Sequence, residues 1–228
     1  MRNNQPVTQQ EYIVADGATL MSTTDTQSYV TYANEAFVEV SGYSREEILG
    51  QPHNLVRHPD MPPQAFADMW ATLKSGKSWT ALVKNRRSNG DHYWVRANAT
   101  PVVQNGQVTG YMSVRTKPSR DEVQATEALY KRIREGTAGT LAIYRGIVVH
   151  TGLQAWRSWF QTASLAARIR VGALIAALGS FIGTAVAAQF NLGFFAIGLA
   201  TLVGAFLGVI FLNWQIGIPL KTVAREAQ

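Results

Sequence analysis

With 228 residues, no cysteine and a net charge of +6, the chain has room for one domain of about 100 to 150 residues and a further segment. The missing thiol excludes thiol catalysis, cysteine-ligated zinc, iron–sulfur clusters held by this chain and cysteinyl-flavin photochemistry. The charge is uneven: residues 1–120 carry 12 basic and 10 acidic groups, 121–170 carry 7 and 4, and 171–228 carry 2 and 1, a juxtamembrane excess rather than a nucleic-acid-binding face.

Residues 1–18 are polar, turn-rich and without period, and read as a flexible leader. Nothing at Met1–Pro6 resembles the apolar core of a secretory signal, which places the residues before Arg168 in the cytoplasm. Thr19–Thr24 and Ser28–Tyr32 are β-rich runs about Asp25-Thr26-Gln27 and predict a hairpin. A short helix follows, with Asn34 as its cap and Gly42 past its end. Ser44 and Glu47 have capping-box spacing and open another.

Pro52 to Pro63 then sets Arg57, His58 and Asp60 among prolines, where core sequence would be apolar. A backbone stiffened in this way loses little freedom on binding, so the ionisable groups mark a ligand site. For Asp60 alone, capping the next helix or pairing with Arg57 is an equally open reading. Pro62–Leu73 reads as a helix with Phe66, Met69, Trp70 and Leu73 on one face, closed by Gly76.

Three strands follow, Trp79–Arg87, Asp91–Val103 and Val108–Lys117, joined through Asn89-Gly90 and Asn105-Gly106. Period two puts Trp79, Ala81, Val83 and Asn85 on one face, with Tyr93, Val95, Ala97 and Ala99 on the same side of the middle strand. Small residues between an indole and an amide leave room for a flat ligand. His92, Trp94, Arg96 and Asn98 take the other side, an outer surface for docking. The last strand turns Tyr111, Ser113 and Arg115 inward. The element order predicts a five-stranded antiparallel sheet with helices on one face, an α+β fold.

After Pro118, Ser119–Glu122 opens a connector helix that closes at Gly136, and Thr140–His150 reads as a small hairpin about Arg145-Gly146. Trp156, Trp159 and Phe160 beside Arg157 read as a segment at the membrane surface. From Val171 to Trp214 no charged residue or histidine occurs in 44 residues, about twice the length of one span. Arg168 and Arg170 precede this run, and Lys221 and Arg225 follow it. The positive-inside rule then requires two crossings with both ends cytoplasmic, turning near Gln189–Gly193. Gly179 and Gly204 are equidistant from the turn and should meet between the spans; small residues are also common in such helices.

Several strings together resemble a PAS domain, and more narrowly that of the bacterial aerotaxis receptor family: Asn34-Glu35-Ala36-Phe37, Gly42–Glu47, Leu49–His53, Val56–Pro62 and Lys84–Val95. The resemblance is strong from Thr19 to Lys117 and weaker through the hairpin to the chain end. It implies a PAS sensor at 19–118, a connector with juxtamembrane segment at 119–167, a two-helix transmembrane hairpin at 168–214, and from 215 the start of a HAMP-like relay helix, seen in Ile218–Ala224. It implies a non-covalently bound FAD that follows an electron donor of the respiratory chain, a homodimer in the inner membrane, and output to chemotaxis signalling proteins or to a separate output domain. Asn34, Arg57, His58, Asp60, Trp79 and Asn85 fall on family positions tied to flavin binding or signalling. Arg57 suits the dinucleotide phosphates by charge and forked geometry. Trp79 and Asn85 suit the ring's wall and polar edge, and Arg115 could reach that edge. Where light-sensing relatives carry an adduct-forming cysteine, His53 stands near that position. A haem bound through an imidazole such as His58, and a cofactor-free interaction module, are the alternatives. A turnover enzyme is disfavoured, because no substrate base or Gly-x-Gly-x-x-Gly fingerprint is present.

Overall fold

The computed structural model describes residues 4–190 and 193–217. The expected turn at Asn191-Leu192 and the HAMP-like string at Ile218–Ala224 lie outside them. Two compact units divide after Gly152.

In the first unit, β1 (Leu20–Thr24), β2 (Val30–Ala33), β3 (Trp79–Arg86), β4 (His92–Gln104) and β5 (Gln107–Thr116) form one antiparallel sheet in the order β2-β1-β5-β4-β3. Helices α1 (Glu35–Ser41), α2 (Arg45–Ile48) and α3 (Pro63–Lys74) fill the connection between β2 and β3. The sequence states why each starts and stops. Asn34 Oδ1 accepts from Phe37 N at 3.0 Å, Ser44 and Glu47 close a reciprocal capping box, and Gly42 supplies the left-handed residue that ends α1. Each cap contributes about 1 kcal/mol.

The core lies between α1–α3 and the inner sheet face, where Leu20, Phe37, Ile48, Met61, Leu73, Trp79, Tyr93 and Val95 are almost fully buried. Period two holds along β3 and β4: Trp79 pairs with Ala99, Ala81 with Ala97 and Val83 with Val95.

Three findings depart from the sequence reading. The leader is not free: Thr8 N donates to Gly90 O, Tyr12 N donates to His92 O, and Val14 is 2 % exposed. Arg86 Nε donates to Pro6 O at 2.8 Å. These bonds run through main-chain carbonyls, which leave no pattern in side-chain identity. The connector also packs on the sensor. Helix α4 (Arg120–Arg134) covers the outer face of the sheet, placing Tyr130 beside Trp94 with ring centroids 6.4 Å apart and Tyr130 Oη on Leu82 O at 2.8 Å. The outer surface that reads as a docking face is therefore occupied by this chain's own helix and leader. Finally, the hairpin β6 (Leu141–Tyr144) and β7 (Ile147–His150) returns to α3.

A 3-10 segment, Gly152–Ser158, starts at the boundary, and the second unit continues with the short α5 (Trp159–Thr162), α6 (Leu165–Gln189) and α7 (Gly193–Leu212), which runs on into a π-type turn, Asn213–Gly217. Helices α6 and α7 pack against each other and are long and apolar enough to cross a membrane. Their surfaces are largely exposed, as at Phe181, Phe195, Leu202 and Phe206, the reverse of a water-soluble pair. The paired glycines meet as their spacing requires: a Cβ on Gly179 would lie 3.1 Å from Gly204 Cα, and one on Gly204 would lie 2.3 Å from Ser180 N. One step along, a Cβ on Gly208 would lie 2.7 Å from Ala176 Cβ. Gly204→Leu is expected to cost about 1–3 kcal/mol of hairpin stability, read as an earlier unfolding midpoint in detergent titration. Gly198→Leu, at a position with nothing within 4 Å, should change little.

Candidate ligand cavity

Between α3 and the inner sheet face lies a cavity of about 300 Å3, at the small end of the range for ligand pockets. One wall is Trp79, Val83 and Asn85 of β3, and the floor is Ala97 and Ala99 of β4. The small side chains on β4 open the slot, because nothing bulkier reaches up between the strands. Phe66, Met69, Trp70 and Leu73 of α3 line it from the opposite side. Trp70 meets Tyr111 of β5 edge-on at 5.2 Å. Residues from the Pro52–Arg57 loop complete the mouth.

The polar end is built around Arg115. Its side chain is 5 % exposed, with Nη1 donating to Ser22 Oγ at 3.0 Å and Nη2 reaching His53 Nε2 at 2.9 Å. The guanidinium stands 5.1 Å from the centre of the Phe37 ring. Among the described residues no carboxylate forms an ion pair with it. Burial lowers the Arg115 guanidinium to about 10, with Tyr93 acting in the opposite sense. Burial and the Arg115 charge push the His53 imidazole down to about 3, so at neutral pH His53 is uncharged and offers Nε2 as an acceptor. The result is a buried cation answered only by neutral groups at the end of an apolar slot. Such a cation attracts an anionic or electron-rich ligand edge.

Asn85 lies on the opposite strand. It is 4 % exposed, and among the described residues nothing hydrogen-bonds its Nδ2. The Tyr93 hydroxyl is likewise buried without a bond; the Asn85 amide faces it outside good hydrogen-bond geometry, and burial raises the phenol. A buried amide donor left open beside a cavity is a place for a ligand acceptor.

Of the residues expected at the site, Arg57, Trp79, Asn85 and Arg115 line the cavity, and three do not. Asn34 is the cap of α1, accepting from Phe37 N and Met21 N and donating to Thr19 O; this amide holds two chain segments together. His58 is fully buried against His92, ring centroids 5.7 Å apart, and accepts from Asp60 N. Asp60 binds Lys84 Nζ at 2.8 Å, and Lys84 also reaches Glu127 of α4 at 3.0 Å. Burial pushes the Asp60 carboxyl up, but the Lys84 hydrogen bond and charge outweigh it and hold the group low. The alternation along β3 explains the division: Asn85 turns inward and Lys84 outward, and the loop that wraps this edge sends Arg57 to one side and His58 and Asp60 to the other.

Arg57 lies over the Phe66 ring at 3.7 Å, and its backbone bridges to Asn85. Burial lowers its guanidinium. Asn4 Nδ2 donates to the carbonyls of Asn54, Leu55 and Arg57, so the leader fastens the loop that forms the mouth. Sequence reasoning missed His53 and Ser22 as partners of Arg115. The inward parity of Ser22 on β1, which pairs with Ser113 on β5, was the available signal.

Residues 30–115 match the family model described as PAS fold. Along its whole length the chain is 46% identical, over 232 aligned residues, to the aerotaxis receptor of Escherichia coli strain K12. That similarity runs through both units of the chain. It spans 43% of that receptor's length. The nitrogen fixation regulatory protein of Klebsiella pneumoniae is 28% identical over 54% of this chain and 24% of its own. Among solved structures, a light-oxygen-voltage domain studied with a flavin analogue is 23% identical with a TM-score of 0.45, covering 50% of this chain and 87% of that one, a likeness too low to bear on the ligand. The PAS match begins at β2, so β1 and the leader, which supply Ser22 and Asn4, stand outside it.

The buried imidazoles set a pH dependence. His53 titrates at about 3 and His58 at about 4, burial being the first cause in each and also the cause that lowers His92. All three lie below the ordinary histidine value. The unfolded chain therefore takes up protons first, and stability is full above about pH 6.5 and falls as pH drops, by up to about 1.4 kcal/mol per pH unit for each imidazole. Urea midpoints at pH 7.5 and 5 are expected to show this loss, and His53→Gln is expected to reduce it.

Proposed function

We propose that the cavity holds a non-covalently bound FAD and that the protein is a redox and energy sensor of the aerotaxis-receptor type, a receptor rather than a turnover enzyme. The observation that carries this reading is the pairing of a buried, carboxylate-free Arg115 with the unpartnered Asn85 amide across a flat apolar slot. When bound, FAD supplies a reversible redox couple whose state follows electron supply from a respiratory donor. Trp79 and Trp70 provide aromatic walls, and Ala97 and Ala99 leave the space between them. Arg115 meets an edge whose charge differs between oxidation states, with His53 uncharged beside it and able to take up hydrogen bonds that Arg115 releases. Arg57, at the mouth, is suited to the cofactor's phosphate groups by charge and forked geometry.

Haem receives less support. His58, the axial imidazole that the sequence offers, is turned away from the cavity. His53, which lines it, has Nε2 engaged by Arg115.

In the same reading α6 and α7 cross the inner membrane as a two-pass hairpin, with the PAS domain and both ends in the cytoplasm. The 25 residues of α6 span about 37 Å at 1.5 Å per residue, enough for a hydrocarbon core of about 30 Å. A homodimer passes the redox state through a HAMP-like helix to chemotaxis signalling proteins or a separate output domain. Ligand-dependent signalling of this kind is a population shift, and requires the two cofactor states to bind the two protein arrangements differently.

The purified protein is expected to be yellow with a flavin absorption band. A Soret band would indicate haem instead, and a folded protein that takes up no flavin on reconstitution would leave an interaction module. Arg115→Met is expected to weaken flavin retention about 10- to 100-fold, the scale for a lost charged hydrogen bond, with Arg115→Lys intermediate. A tag beside Asn191 is expected outside the cytoplasm; a cytoplasmic tag would overturn the two-pass reading.

A further inference from the structure

We infer that Asp68 of α3 is a positioning residue that couples the cavity wall to the connector hairpin, so that movement of Trp79 reaches β6–β7 through one shared carboxylate. The inference deepens the sensor reading and rests on the cavity being the ligand site.

Asp68 Oδ2 accepts from Trp79 Nε1 at 2.7 Å. The same oxygen accepts from Gly146 N at 2.7 Å, and Oδ1 accepts from Arg145 N at 2.7 Å. The other two donors are the backbone amides at the tip of β6–β7, so the three donors to this carboxylate come from the cavity wall and the connector. Arg145 and Gly146 both have positive φ, 53° and 82°. This left-handed pair turns successive N–H groups toward one anion, a small backbone nest.

Gly146 is required twice over. Beyond its positive φ, a Cβ there would lie 2.0 Å from Thr80 O, so the turn sits directly on the edge of β3. Trp79, one residue earlier, is 1 % exposed and lines the cavity. An indole that shifts to accommodate a changed ligand must stretch or redirect its bond to Asp68. The hydrogen bonds held by the same carboxylate then reorient with it, and the hairpin follows. That hairpin leads into the segment that begins at Gly152.

The test uses the full chain in detergent, with hydrogen exchange followed at residues 141–150 and the Trp79 indole N–H resonance followed by NMR, assigned through Trp79→Phe. Asp68→Ala is expected to speed exchange at Arg145 and Gly146 about 10- to 100-fold, the loss expected for bonds to a charged acceptor, while protection in β4 and β5 stays unchanged. Trp79→Phe keeps a ring but removes the donor, and is expected to speed exchange in the hairpin about 3- to 10-fold; Asp68→Asn, which keeps an acceptor oxygen, should fall between wild type and Asp68→Ala. Coupling must run both ways, so Gly146→Ala should move the Trp79 indole resonance further with Asp68 in place than in the Asp68→Ala background, where only the direct press on Thr80 O remains. A purely structural anchor would lose its hairpin in Asp68→Ala yet leave hairpin exchange untouched by Trp79→Phe, and Gly146→Ala would move the indole resonance equally with and without Asp68; that pattern overturns the inference. Should Trp79→Phe disturb β4 and β5, the Gly146→Ala arm decides alone, with the indole then assigned by selective labelling. Both measurements are readable without cofactor, so a chain that takes up no FAD removes the sensor proposal but leaves this coupling decided on its own evidence.

Discussion

The constraint on which the structure turns is the open edge of β3. An edge strand presents unpaired N–H and C=O groups that must find partners or invite another chain. Here they are covered by three separate segments. Lys84 N donates to Met61 Sδ at 3.2 Å, Leu82 O accepts from Tyr130 of α4 at 2.8 Å, and Thr80 O lies under Gly146 of the hairpin. The inward side chains of the same strand wall the cavity. One strand therefore has a face that walls the cavity, an outer face carrying Lys84 and its carboxylates, and an edge held by the elements that lead onward. Any displacement of β3 is felt by the loop at the mouth and by the connector together.

The cavity's electrostatics follow from leaving Arg115 without a counter-charge. Burying a guanidinium against a hydroxyl and a neutral imidazole is costly, and the cost persists only where surrounding structure enforces it. Here β1 and β5 enforce it, because Ser22 and Arg115 sit on adjacent paired strands and the Pro52 loop brings His53 over them. The Phe37 ring beside the guanidinium adds a cation–π contact, which offsets part of that cost without neutralising the charge. The opposite cluster, on the outer face, is arranged in the reverse sense. Lys84 is shared by Asp60 and Glu127, so the buried ammonium there has carboxylate partners and ties α4 to the domain. A cation with carboxylate partners suits a docking joint, and a cation without them suits a ligand site.

The apolar hairpin follows different rules. In lipid no hydrophobic force drives α6 against α7, so close backbone approach has to do so. Gly172, Gly179, Gly204 and Gly208 make that approach possible, and each has a neighbour from the opposing helix that an added Cβ would press on. Arg168 closes the foot of the hairpin by donating to Gln215 O at 3.0 Å and to Phe160 O, so the positive charge at the start of α6 also ties the chain after α7 and the aromatic segment together.

Local signals in the amino-acid order determined the elements almost in full: capping residues, left-handed glycines, Asn-Gly turns and periods of two set the helices, strands and inward faces. They also determined the apolar hairpin and the meeting of Gly179 with Gly204, because both follow from counting along a regular helix. The same signals placed Trp79, Asn85 and Arg115 on the inner face. Only the tertiary structure decided which side of β3 the Arg57–Asp60 loop would serve, since a loop has no period and two neighbouring residues can end on opposite faces. It alone decided that the leader is packed, that α4 and the hairpin close on the sensor, and that Arg115 shares its site with His53 and Ser22. Those outcomes depend on backbone carbonyls, sulfur and distant partners brought together by chain closure, and contacts of that kind are not written in the spacing of residue types.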